Sequence, residues 1–379
     1  MIKNRDNEPT TVTNSGTDTG DRPESPTLEH VAAHAGVSTA TVSRALNQPD
    51  KVVASTRTRV QNAIEELGYT PHFGARFLAS SRSNTVGAII PTMANAMFAG
   101  GLQAFQEELS KSGYTLLVAS SGYDADSEFQ QIESLTANGA DGLLLIGASR
   151  PSRSIEFLQR RKIPFVLSWC SSQQLIDEGE NASLHMPLVA GFDNTKASYQ
   201  LTREILNKGH RNIAMIAGDC SNNDRARASV AGVKQAIDEH QSTVDPDGTK
   251  KNDDSAELLQ VIETEYSLEN GGQAFTALMA SARKPTVIVC GNDVLAAGAI
   301  VRARTLGIAV PEDVSITGFD DIALASAVTP ALTTVSVPQE AMGRAAARLL
   351  LQSIETVNTP ANVELTTNIV YRDSLRSIN

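Results

Sequence analysis

Aromatic residues make up only 4% of this 379-residue chain, and Trp169 is the single tryptophan. Each aromatic side chain near a cleft therefore counts as a candidate contact. Cysteine is scarcer still. Cys170, Cys220 and Cys290 lie far apart with no metal-ligand spacing, which suits buried thiols in a reducing cytoplasm. No uninterrupted apolar run reaches the roughly 20 residues of a membrane span. The N-terminus lacks the apolar core of a signal peptide. A cytoplasmic protein with no membrane partner is expected. Also missing are a P-loop, a Gly-x-Gly-x-x-Gly after a strand, a His-Glu-x-x-His pair and a nucleophile elbow. The six histidines are scattered. His210, in Lys208-Gly209-His210-Arg211, reads as a structural hydrogen-bonding residue. No catalytic, metal or cofactor site is expected, and the chain is not read as an enzyme.

Apolar content is 41%, ordinary for a globular chain long enough for two or three domains. The net charge of −11 argues against a general nucleic-acid coat. Its distribution is uneven. Between Thr27 and Ser83, Arg44, Lys51, Arg57, Arg59, Arg76 and Arg82 outnumber Glu29, Asp50, Glu65 and Glu66. A mildly basic head on an acidic body fits contact with DNA at one end only.

Residues 1–26 hold few apolar side chains and predict a disordered tail. Residues 27–70 predict a small helical head. Leu28, Val31, Ala32 and Ala35 share one face of a first helix. Gly36 ends it, because glycine takes the left-handed conformation without steric cost. Ser38 is placed to cap a second helix by accepting from a free backbone N–H. In that helix Val42, Ala45 and Leu46 turn inward. Thr39, Ala40, Thr41, Ser43 and Arg44 occupy the start and the other faces. The layout is a helix-turn-helix whose second helix is small and polar enough for a DNA major groove. A third helix follows, with Val60, Ala63, Ile64 and Leu67 on one face and Ser55 as the expected cap. Residues 71–84 predict a hinge helix and linker.

From residue 85 to 379 short apolar runs alternate with amphipathic helices. The runs include Val86–Ile90, Gly142–Ile146, Pro164–Leu167, Ile213–Ile216, Val287–Val289 and Val314–Thr317. Helices between strands imply parallel sheets. The fold class is thus a small all-α head and an α/β body of two doubly wound lobes, with a cleft at the carboxyl ends of the strands. Lobe one is expected at 84–168 and 322–356, lobe two at 169–321 and 357–379. Gly271-Gly272 reads as an isolated turn. Asp193-Asn194, Asn292-Asp293 and Asp320-Asp321 follow strands. Such residues either cap the next helix or bind ligand hydroxyls. Capping is favoured for Asp193-Asn194.

Several spaced motifs coincide: Thr27-Leu28, Val31-Ala32, Ala35-Gly36-Val37-Ser38, Thr41-Val42-Ser43-Arg44, Leu46-Asn47, Leu67-Gly68-Tyr69-Thr70-Pro71 and Ala75-x-x-Leu78. Together they resemble the lactose-repressor (LacI/GalR) family of bacterial transcription regulators, and the likeness covers nearly everything after Ser25. The resemblance implies a periplasmic-binding-protein-like body, a homodimer, and a pseudo-palindromic double-stranded DNA operator. It implies repression controlled by a small-molecule effector, a carbohydrate or a relative. Arg44 and Thr39 are expected at base edges with Ala40 as a small apolar contact. Thr41, Ser43 and Asn47 are expected on phosphates. Ala75 and Leu78 belong to the hinge, with Leu78 wedged into the minor groove.

For the effector, the resemblance points to Asn292 and Asp320 at strand ends, to the aromatic residues Phe98, Trp169 and Tyr266, and to Arg227. Departures are visible. Ser229 replaces an arginine common in the family, with Arg225 and Arg227 nearby. Trp169 stands where an acidic residue is frequent, and Val337 replaces a polar residue. Val189–Asn194 brings the chain nearer a gluconate-repressor-like branch. Val53 replaces a capping serine, and Gly74 sits inside the hinge helix. No heptad helix follows Ser374, so no tetramer through a C-terminal bundle is expected. A ligand-dependent activator or global regulator of the same fold, a receptor that has lost DNA binding, and an enzyme on the same lobes remain as alternatives.

Overall fold

A computed structural model describes residues 26–70, 82–94, 96–177, 187–244, 255–355 and 361–378. Most of the expected tail and the whole expected hinge helix lie outside the described residues. The chain divides into two compact units, Met1–Ser81 and Arg82–Asn379.

The first unit contains helices α1 (Leu28–Ala35), α2 (Thr39–Asn47) and α3 (Ala54–Leu67). Their apolar faces close on one core of Val31, Ala32, Ala35, Val42, Ala45, Val60, Ala63 and Tyr69. Gly36 ends α1 with φ +64°, the left-handed conformation that turns the chain toward α2. Ser55 is not the cap of α3. The helix starts two residues earlier than that cap requires, so Val53 takes the cap position and no side chain there accepts from a free N–H.

The second unit is built on two six-stranded sheets. The first holds β1 (Thr85–Ile90), β2 (Thr115–Ser120), β3 (Gly142–Ile146), β4 (Phe165–Ser168), β5 (Leu188–Gly191) and β11 (Val363–Glu364), in the order β11-β5-β4-β3-β1-β2. The second holds β6 (Asn212–Gly218), β7 (Glu257–Thr264), β8 (Val287–Cys290), β9 (Ser315–Asp320), β10 (Thr333–Ser336) and β12 (Asn368–Val370), in the order β12-β10-β9-β8-β6-β7. Paired strands run parallel except β10 and β12. Central strands such as β1 and β3 are buried throughout. This is why they read as unbroken apolar runs: helices cover both faces.

The lobe boundaries differ from expectation. β5 pairs with β4 and so belongs to lobe one, which moves the first crossing from 168 to the segment after Gly191. β10 pairs with β9 and belongs to lobe two, so the second crossing follows Ser336 and does not lie near 321. β11 pairs with β5, placing the third crossing between Glu364 and Asn368. Apolar runs locate strands, but register decides which sheet each one joins. Gly271 and Gly272 are not a turn. They lie buried inside Leu268–Met279. A Cβ on Gly271 would stand 2.3 Å from the Leu295 carbonyl oxygen of the neighbouring helix Asp293–Thr305.

His210 is buried and joins three segments. Its Nδ1 lies 3.0 Å from Thr286 Oγ1 and its Nε2 3.0 Å from the Arg376 carbonyl. A carbonyl only accepts, so Nε2 carries the proton, and Nδ1 faces the Thr286 hydroxyl, whose proton also reaches the Asn212 carbonyl at 3.2 Å.

Candidate functional site

In the first unit Thr27 caps α1. Its hydroxyl accepts from His30 N–H at 3.4 Å, while its own N–H donates to His30 Nδ1 at 3.2 Å. A histidine thus fills the place usually held by glutamate in a capping box. Ser38 caps α2, accepting from Thr41 N–H at 3.2 Å and sharing a hydrogen bond with the Thr41 hydroxyl at 2.9 Å. The two caps satisfy free backbone donors and fix where α2 begins. With Val42 and Ala45 turned into the core, Thr39, Ala40 and Arg44 are exposed, and Thr41 and Ser43 flank them half-buried. The five share the solvent side of one short helix. The Asn47 side chain, Ala75 and Leu78 lie outside the described residues.

In the second unit two adjoining cavities, about 370 and 450 Å³, lie between the lobes and share Pro91, Tyr123, Asp124, Ser221 and Asn222. Tyr123 follows β2 of lobe one and Tyr266 follows β7 of lobe two. Their rings meet with centroids 6.2 Å apart. Burial raises both phenol pKa values, and the Arg225 guanidinium opposes this. Asn223 Nδ2 donates to the Tyr266 hydroxyl at 3.2 Å. Arg227 lines the smaller cavity and donates to the Cys220 carbonyl at 2.7 Å, holding the loop after β6.

The sequence missed the contact that joins the lobes here. Asp224 begins the helix Asp224–Val244 of lobe two. Its Oδ2 accepts from the Ala148 N–H of lobe one at 2.7 Å, and its Oδ1 accepts from Arg225 at 2.9 Å. Of the two arginines near Ser229, both of which line the smaller cavity, Arg225 is the one bonded to Asp224. It faces Tyr123, Tyr266 and Asp320 electrostatically.

Asp320 ends β9 with φ +102°, and Asp321 follows at φ +58°. Side chains rarely take that backbone region, and such residues gather at functional sites. Burial holds the Asp320 carboxyl well above its usual range, Asp293 adds to this, and Arg225 opposes it. Asp293 supports the same loop: it accepts from Thr334 Oγ1 at 2.6 Å and from Ile322 N–H at 2.8 Å. Burial pushes its carboxyl up to about 7.

Phe98, Trp169, Asn292 and Asp320 stand apart from these walls, Asp320 lining a separate open groove with Val337 and Gln339. Phe98 and Trp169 pack together in the core of lobe one and neither lines the two cavities. Asn292 caps its helix, accepting from Leu295 N–H at 2.9 Å. Asp193 likewise caps Asn194–Asn207, accepting from Lys196 N–H at 2.9 Å. Trp169 Nε1 and Asn292 Nδ2 are buried donors without a hydrogen-bond partner among the described residues. Among the described residues no helix is long and apolar enough to cross a membrane. None of their His, Cys, Asp and Glu side chains group in threes that could hold a metal ion.

Residues 27–72 match the model of the bacterial regulatory proteins of the lacI family, and residues 202–375 match a periplasmic binding protein-like domain. The chain is 31% identical over 353 residues to the HTH-type transcriptional repressor PurR of Proteus mirabilis, covering 92% of this chain and 96% of that protein. A solved LacI-family regulator from Silicibacter pomeroyi shares the fold with a TM-score of 0.79 at 24% identity, over 93% of this chain and 99% of that one. The regulator CelR in complex with cellobiose is 28% identical with a TM-score of 0.62, over 92% and 99% of the two chains. The chain belongs to the LacI family of bacterial transcription regulators: it is a DNA-binding regulator with an effector-binding body, and not an enzyme.

Proposed function

We propose that the protein is a cytoplasmic homodimeric repressor. Two heads read the half-sites of a pseudo-palindromic operator, and a sugar, sugar acid or derivative bound between the lobes controls operator affinity. The observation that carries this is the outward face of α2. Thr39, Ala40 and Arg44 stand exposed on a helix whose other side is locked into a core. Arg44 and Thr39 take base edges, Ala40 a small apolar contact, and Thr41, Ser43 and Asn47 phosphates. Ala75 and Leu78 of the hinge are DNA contacts, with Leu78 in the minor groove at the centre of the site. That PurR is a repressor supports repression here, and the cellobiose complex of CelR supports a carbohydrate effector. The edge strand β2 leaves Leu117 and Val118 more than one-third exposed, which supports pairing with a second copy.

Tyr266, Arg227 and Asp320 serve as effector contacts. Trp169, packed on Phe98, and Asn292 each offer a buried donor that an acceptor on the ligand would satisfy. An unmade buried hydrogen bond costs about 1–3 kcal/mol, so that gain favours a bound state. The stretch Val189–Asn194 forms β5 and the first crossing, outside both cavities. It therefore gives no support to a gluconate-repressor-like branch.

The test is a footprint of the full chain on the region upstream of its own gene, repeated with a panel of sugars and sugar derivatives. Protection of a pseudo-palindrome that one panel member relieves or strengthens is the expected result. No protection with or without the panel would favour a receptor that has lost DNA binding.

A further inference from the structure

We infer that, among the ligand classes just proposed, Asp224 makes the cleft selective for uncharged, hydroxyl-rich ligands over sugar acids, because its own carboxylate fills the anion cradle between the lobes. The inference rests on the cleft being the effector site. The cradle has two donors, the Ala148 N–H of lobe one and the Arg225 guanidinium of lobe two. They hold Asp224 at 2.7 and 2.9 Å. A backbone N–H and a guanidinium converging on one point are the donors that a ligand carboxylate or phosphate would use. Here that position is taken by a side chain only 4% exposed.

The other arginines of the cavity walls are committed as well. The Arg150 side chain is fully buried, bonded to Glu128 at 3.2 Å and to the Gly147 carbonyl at 2.9 Å. Arg227 is turned to the Cys220 carbonyl. Against these three arginines the walls carry Asp124, Glu128, Asp219, Asp224 and Glu265. An anionic ligand entering this space would lose water, meet arginines already drawn to protein acceptors, and face surplus carboxylates. Such a charge is costly to bury. A neutral ligand meets acceptors for its hydroxyls and the Tyr123 and Tyr266 rings for its apolar face. Rejection of the wrong ligand by an internal charge is a common source of specificity.

The test uses the full chain and inorganic phosphate as the probe, titrated at constant ionic strength with chloride as the control, and read by thermal unfolding and calorimetry. Wild type should show no saturable phosphate binding. Asp224→Ala empties the cradle and should bind phosphate saturably, at least about tenfold more tightly than the weakest binding the wild-type titration would have detected, as expected when a phosphate oxygen accepts a charge-assisted hydrogen bond there. Asp224→Asn keeps an acceptor for Ala148 but removes the charge, and should show a smaller gain in the same direction. It also decides the matter if the alanine variant does not fold. Saturable phosphate binding by wild type, or no gain in whichever variants unfold cooperatively, would overturn the inference. The titration involves neither operator nor effector, so its failure is distinct from failure of the footprint.

Discussion

The Phe98 and Trp169 rings meet edge to face with centroids 5.3 Å apart and an interplanar angle of 71°. Their burial, 1% and 3% exposed, makes Trp169 part of the core of lobe one as well as a candidate contact. The ring fills a socket over Gly101, where a Cβ would stand 2.4 Å from it. Trp169→Ala should therefore cost about 3–5 kcal/mol in urea unfolding, as large-to-small core changes do. Trp169→Phe keeps most of the packing and removes Nε1. It should fold and bind operator but respond less to effector. A stable Trp169→Ala protein would place the ring outside the core.

The His210 ring predicts a pH dependence. Burial pushes its pKa below the ordinary 6.5, and the Arg376 carbonyl opposes this. The unfolded chain then binds more protons than the folded one just below pH 6.5, so this contribution is present above that pH and lost as pH falls through the window. Asp293 and Asp320 act in the opposite direction. Their raised carboxyl pKa values favour the folded state as pH falls, for Asp293 from about 7 toward the unfolded value near 4. The His210 contribution is isolated by comparison with His210→Gln. The stability advantage of wild type over the variant should shrink between about pH 7.5 and pH 5 in chemical denaturation. An advantage that stays constant would mean that the ring does not titrate differently on folding.

The start of α3 is open to improvement. Val53 holds the cap position, is 73% exposed, and offers no acceptor. Val53→Ser supplies one and should slow hydrogen exchange of the first amides of α3, a gain of about 0.5–2 kcal/mol. Ser38→Ala removes the bond to Thr41 N–H and should lose a similar amount at α2. Unchanged exchange at both helices would show that neither start is limited by its cap.

Much of the head was legible because its signals are local. Gly36, Ser38 and the spacing of Val31, Ala35, Val42 and Ala45 lie within a few residues of what they control. The alternation of strand and helix was legible for the same reason. Which sheet β5, β10 and β11 join was not, because pairing register joins residues far apart in sequence. Gly271-Gly272 looked like a turn, but the need for glycine there comes from the Leu295 carbonyl on another helix. The cleft was legible only in part. Tyr266 and Arg227, named from the resemblance, line the two cavities, whereas Asp320, named from its strand end, lies outside both linings. Asp224 was missed because its partner Ala148 lies 76 residues away, and nothing near either residue announces the other.

Arg44 offers the most direct measurement of the central claim. Selection of binding sites from random duplex DNA, followed by sequencing, should give a pseudo-palindromic motif for the full-length wild type. Arg44→Ala should lose about 1–3 kcal/mol on that motif and relax preference at one base pair in each half-site. A wild-type protein that enriches no motif, or an Arg44→Ala protein with the same motif and affinity, would contradict the assignment of α2 as the reading helix.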